Sequence, residues 1–200
     1  MKKMTVATVC VLVIFLVLGL LPTHGEAEIY DKVVRLHVIA CSDSEQDQAL
    51  KLKVRDAVLA YCGKELADCA SKEEAQARLA EMTGTLQEIA SRTVKDEGFD
   101  YSATVTLGME QYPRKRYDGL CFPRGEYLSL RVILGEGEGQ NWWCVLFPSL
   151  CLGSVSAKEQ EKAFISAGFT ADQYKIITEN TGVSYKIKFK CLEWLQDLRG

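Results

Sequence analysis

Two rhythms of hydrophobic and polar positions alternate along this chain, one predicting strands and the other helices. Val33-Val34-Arg35-Leu36-His37-Val38-Ile39-Ala40 is β-branched and partly alternating, which predicts a short strand. The spacing then lengthens. Leu50, Val54, Ala57, Val58 and Tyr61 recur at helical intervals, behind Ser42 with Glu45 three residues later, the pattern of a capping box. Gly63 is expected to stop that helix. A second box, Ser71 to Glu74, opens a helix with the stripe Leu79, Met82, Leu86 and Ile89, which ends by Gly98. From Tyr101 to Leu107 the period is two: Tyr, Ala, Val and Leu fall on one face, Ser, Thr and Thr on the other. That predicts a strand with one wet face.

The segment MEQYPRKRYDGLCFPRG, rich in proline, glycine and charge, reads as a loop, with Arg114-Lys115-Arg116 at a solvated tip. Tyr127–Leu134 is a further strand. Asn141–Phe147 is apolar on both faces, so it is expected to be central or covered on both sides. Gly135, Gly137 and Gly139 form the tight connection between them, supplying positive φ. Ser156 to Glu159 and Thr170 to Gln173 are capping boxes for two short helices. The last segment, SYKIKFKCLEWLQDL, alternates at Tyr185, Ile187 and Phe189, yet Ile187, Cys191, Trp194, Leu195 and Leu198 follow helical spacing; a helix is favoured. Hairpin-linked strands with segregated helices give a single α+β domain with a mostly antiparallel sheet.

The N-terminus changes the setting. Lys2 and Lys3 precede the apolar run MTVATVCVLVIFLVLGL, and Gly25-Glu26-Ala27 is a small-x-small sequence. Residues 1–27 therefore read as a signal peptide cleaved after Ala27, leaving residues 28–200 as the exported domain; an uncleaved anchor is the alternative. Of 24 basic and 27 acidic residues, the leader removes Lys2, Lys3 and Glu26, which leaves a net charge of −4. Such a balance offers no electrostatic footprint for nucleic acid or an anionic membrane.

Export also bears on the cysteines. Seven remain: Cys41, Cys62, Cys69, Cys121, Cys144, Cys151 and Cys191. Outside the cytoplasm some should be oxidised, and the odd count leaves at least one free or paired with another chain. Cys144 and Cys151 flank Pro148 at a spacing that lets a turn bring them together. Cys41, Cys62 and Cys191 also fit as small buried hydrophobes. His37 is the one histidine of the exported part, and no CxxC spacing occurs, so neither a zinc site nor a metal or other cofactor is expected.

GEGEG is a poor phosphate cradle, because a strand follows it and Glu136 and Glu138 would repel phosphate. A Ser/His or Cys/His hydrolase would have to use His37, which sits mid-strand as a structural histidine would. No catalytic residue is assigned. Trp142 and Trp143 must point to opposite faces of their strand, and either can pack in the core or anchor a protein partner.

RLHVIACSDSEQDQALKLKVRDAVL (35–59) and FPRGEYLSLRVILGEGEGQNWWCVLFPSLC (122–151) resemble the stage II sporulation protein R family of endospore-forming Firmicutes, over nearly the whole exported chain. The resemblance implies a protein made in the forespore and exported into the septal intermembrane space. There it would trigger a membrane-embedded aspartic protease of the mother cell, which processes the precursor of sporulation sigma factor E. It implies a signalling protein, not an enzyme, with the extracytoplasmic region of that protease as partner and neither nucleic acid nor a small-molecule ligand. Within the matching motifs Cys144 and Cys151 are implied as a shared disulfide, and Arg35, Asp43, Ser44, Trp142 and Trp143 as partner contacts. Where the family usually reads HVIANSDS this chain has HVIACSDS, and Cys121 also departs from the pattern; with Cys62 and Cys69 these suggest extra bridges. The competing classes are an exported cell-wall-directed hydrolase and a disulfide-rich structural protein of the septal space.

Overall fold

The computed structural model describes residues 29–117, 119–149 and 157–178, together with Thr5, Val9, Val11 and Val13. Contacts cluster into two units, Gly25–Glu179 and Met1–His24 with Asn180–Gly200. In the second, Thr5, Val9, Val11 and Val13 are helical and exposed. No helix among the described residues is long and apolar enough to cross a membrane. The cleavage point at Ala27 and the terminal segment 184–198 lie outside the described residues.

In the larger unit the order is β1 (Val34–Ile39), α1 (Glu45–Glu65), α2 (Lys72–Asp96), β2 (Ala103–Tyr112), β3 (Lys115–Tyr117), β4 (Leu120–Phe122), β5 (Gly125–Leu134), β6 (Asn141–Phe147), α3 (Ala157–Ser166) and α4 (Ala171–Thr178). Four strands form one sheet in the order β2-β5-β1-β6, and β3 and β4 pair as a separate two-stranded ribbon. β1 runs parallel to β5 and antiparallel to β6, while β2 runs antiparallel to β5. This is an α+β domain.

Strand alternation explains the two cores. Val34, Leu36 and Val38 of β1 and Leu128, Leu130, Val132 and Leu134 of β5 face the helices, where Leu50, Val54 and Val58 of α1 and Leu79, Leu86 and Val94 of α2 meet them. The other face carries a second, aromatic core of Tyr112, Phe122, Tyr127, Val145, Phe164 and Phe169. Each fully buried aliphatic side chain contributes about 1.5–3 kcal/mol.

Several expectations need correcting. α1 is capped by Ser44, not Ser42: the Ser44 hydroxyl accepts from the Asp47 amide at 3.1 Å. The helix also runs through Gly63 to Glu65. α2 does start behind Ser71, whose hydroxyl accepts from the Glu74 amide, and α4 shows the full reciprocal box between Thr170 and Gln173. Ser156 lies outside the described residues. β2 is longer than the alternating stretch, and the loop after it contains the β3–β4 ribbon. β6 is covered on both faces, but among the described residues it is an edge strand and not a central one.

Candidate functional site

β1 lies between β5 and β6, so its C-terminal end abuts the loop that joins them. The two loops, residues 40–44 and 135–140, are stitched together. The Gly139 amide donates to the Ala40 carbonyl at 2.9 Å, the Glu138 amide to the Cys41 carbonyl at 3.2 Å, and the Gln140 amide to the Asp43 carboxylate at 2.8 Å. Lys51 of α1 adds a fourth tie, donating to the Gln140 carbonyl at 3.0 Å. Gly135 and Gly137 have φ of +54° and +69°, which glycine alone adopts freely. At Gly139 the constraint is contact: a Cβ there would lie 2.2 Å from the Ser42 carbonyl oxygen.

Asp47 fixes the start of α1 from below. Its buried carboxylate accepts from the Ser42 and Tyr101 hydroxyls. Those hydrogen bonds hold it below the usual carboxylate range despite burial. Burial and the same bond to Asp47 push the Tyr101 phenol well above its ordinary value. Burial pulls the Lys51 ammonium down, and nearby Asp43 partly offsets this.

Beyond the stitched loops β6 begins, and its two tryptophans separate. Trp142 packs half-buried against the helix-side core, with the Arg55 guanidinium of α1 4.7 Å from its ring centre. Trp143 points to the opposite face, half-buried, with the Lys115 ammonium of β3 3.7 Å away and the His37 ring at 5.4 Å. His37 is 6% exposed. Its Nδ1 lies 2.8 Å from Glu110 Oε1 and its Nε2 2.7 Å from Asn141 Oδ1. Burial would raise the Glu110 carboxyl, but hydrogen bonds from His37 and Ser129, with the nearby Arg131 guanidinium, hold it below its usual range. With both ring nitrogens engaged, His37 has no hydroxyl or thiol nucleophile as a hydrogen-bond partner among the described residues. No cluster of metal-ligating side chains occurs among them either.

The residues implied as partner contacts thus divide. Asp43 and Ser44 are exposed on the stitched loop, though Asp43 already accepts from Gln140 and Ser44 caps α1. Trp142 and Trp143 keep part of their surface. Arg35 is set apart from them: none of it is exposed, because the face of β1 that carries it is roofed by the aromatic core. Among the described residues it pairs with no carboxylate; its Nε donates to the Cys144 carbonyl at 3.1 Å. Cys144 is disulfide-bonded, and the other half of that bridge, like Cys151 and Cys191, lies outside the described residues. Cys41, Cys62, Cys69 and Cys121 are free thiols, so the extra bridges expected among them are absent. Cys62 and Cys121 instead serve as small core residues.

Sequence reasoning missed Arg55, Lys115 and Glu110, each brought in by an element whose packing partner the periodicity does not name. For Glu110 the pattern carried no warning: it falls in phase with exposed Thr104 and Thr106 on the wet face of β2, where a carboxylate is ordinary.

Fold and site together define a small α+β domain that presents a braced loop pair and two flanking tryptophans around a satisfied imidazole. The family model described as Stage II sporulation protein R (spore_II_R) matches residues 30–157. The Stage II sporulation protein R of Bacillus subtilis (strain 168) is 33% identical over 224 aligned positions, covering 99% of both chains. The chain belongs to the stage II sporulation protein R family. No solved structure matches it.

Proposed function

We propose that this chain is an exported signalling protein. It is delivered by residues 1–27 to the septal intermembrane space, where it acts as a ligand for the extracytoplasmic region of a membrane-embedded aspartic protease and so promotes processing of the sigma factor E precursor. The observation that carries the reading is family membership across the full chain. The geometry supports a ligand more than a catalyst, since both nitrogens of His37 are engaged by Glu110 and Asn141. The docking surface in this reading is the stitched loop pair with Asp43 and Ser44, continued by the exposed parts of Trp142 and Trp143. A ligand shifts the protease toward its active form by its differential affinity for that form.

The test is reconstitution in a non-sporulating bacterium that expresses the protease and the sigma-factor precursor. Cleavage is expected with the full-length chain and not with residues 28–200 alone. Absence of cleavage with confirmed export and a functional protease would overturn the reading. Trp142→Ala and Trp143→Ala should each lower cleavage at unchanged protein level; full activity in both would remove the tryptophans from the docking surface.

A further inference from the structure

Arg35 is the largest fully buried side chain among the described residues. Its guanidinium carbon lies 4.4 Å from the ring centre of Tyr112, 5.0 Å from Tyr127, 5.2 Å from Phe122 and 5.6 Å from Tyr117. Nε donates to the Cys144 carbonyl at 3.1 Å and Nη2 to the Tyr117 hydroxyl at 2.6 Å. Nη1 is buried and donates to no group among the described residues. No carboxylate among them forms an ion pair with Arg35.

This is an unusual state for a guanidinium. Aromatic faces attract a cation, but a fully buried arginine is ordinarily paired with an anion that uses the fork of its terminal nitrogens. Here the end of the fork meets a phenol. Burial holds the Tyr117 phenol above its usual range, so it stays neutral and supplies no counter-charge.

The four rings are not equivalent. Tyr112, Tyr127 and Phe122 are at most 1% exposed. Tyr117 is half-buried, and it sits on the three-residue β3, whose ladder partner is the three-residue β4. Rotation of this one side chain would uncover the end of the guanidinium and leave the other rings as walls. The opening suits a flat anion that accepts two parallel hydrogen bonds, which is the geometry of a carboxylate.

We propose that Arg35 is a latent carboxylate-binding site gated by Tyr117, in which an acidic side chain of a partner peptide displaces the Tyr117 hydroxyl and takes both Nη1 and Nη2. The inference concerns the site's chemistry and stands whichever protein supplies the acid. It makes Tyr117 a placeholder for a charged group.

The experiment follows the arginine Nε–Hε signals of the purified full-length chain by NMR, with Arg35→Lys identifying the Arg35 signal. Four probes are added at constant ionic strength: acetate, chloride, the capped peptide acetyl-Gly-Glu-Gly-amide and its glutamine counterpart. Acetate and the glutamate peptide are expected to move the signal saturably, and chloride and the glutamine peptide are not. Tyr117→Phe removes the hydroxyl and keeps the ring, and should tighten both carboxylates several-fold; Tyr117→Ala should tighten them about tenfold, the scale of one charge-assisted hydrogen bond released from competition. Should Tyr117→Ala fail to fold, Tyr117→Phe decides. No saturable shift in any folded variant would make Arg35 a purely structural residue and overturn the proposal. An equal response to chloride would mark an adventitious ion only, and a response to acetate without the peptide would overturn the peptide as occupant.

Discussion

Gly139 has no room for a side chain, and Gly84 has room to spare. A Cβ on Gly139 would press on the Ser42 carbonyl, whereas one on Gly84, exposed in α2, meets nothing within 4 Å. Gly139→Ala should therefore destabilise by about 1–3 kcal/mol, as overpacking against backbone does, while Gly84→Ala should stabilise by about 0.5–1 kcal/mol through helix propensity; urea unfolding reads both. Asp47 sets a pH dependence at the same loop. Its folded-state pKa is depressed below the model-peptide value of 3.8, so its stabilising effect is present above that value and is lost as pH falls toward the depressed one. Glu110, also depressed, acts in the same direction from 4.5 downward. Melting temperature should fall below about pH 4.5 in the wild type, and the fall should be shallower in Asp47→Asn. An equally steep fall in that variant would place the acid sensitivity elsewhere.

Among the elements, the half-buried contact of the Arg55 guanidinium with the Trp142 ring is open to a double-mutant cycle. Arg55→Ala, Trp142→Ala and the pair should yield a coupling of about 0.5–1 kcal/mol, measured by denaturant midpoints at constant slope; additivity would mean the contact stabilises nothing. How much of the elements was legible follows from their periodicity. α1 and α2, of 21 and 25 residues, each repeat an apolar stripe, and β1, β5 and β6 are short runs rich in β-branched, leucine or aromatic residues, so all five were readable. The cap of α1 was misplaced because CSDSEQD offers two serines three residues ahead of an acid. The hydroxyl of Ser42 is taken by Asp47, which leaves Ser44 at the helix start. β3 and β4 escaped notice because three residues are too few to show a period. β6 reads as central or covered on both sides because both its faces are apolar; it is covered, its second face by the aromatic core that includes β4, β5 and α3.

At the scale of the whole molecule, that second layer decides which predicted site residues stay exposed. An arginine inside RLHVIA looks like a surface group until the far side of the sheet proves to be roofed, and nothing in the local pattern announces the roof. Asp43 and Ser44 sit exposed at the loop end of the sheet, and Trp143 packs half-buried against the edge of that layer. Chemistry of the thiols offers an independent check on the two layers. Burial pushes the Cys62 thiol up to about 12, so in the native protein at pH 8 it should resist iodoacetamide, as should buried Cys121, while Cys41 and Cys69, half-exposed, are alkylated first. Rapid native labelling of Cys62 would contradict its place on the buried face of α1. A non-reduced peptide map should in addition show Cys144 linked to Cys151; a free thiol at either position would remove that pairing from the family reading.

The two indoles that β6 sends to opposite faces have an optical consequence. They are neighbours in the chain, yet Trp142 emits beneath an arginine on the helical side and Trp143 beside an imidazole and an ammonium on the other. The chain has three tryptophans, so replacing Trp194 and one of this pair by phenylalanine leaves a single emitter that views one side of the sheet. The domain is thus a compass for its own encounters: the side from which a partner arrives is recorded in which of the two lamps changes colour.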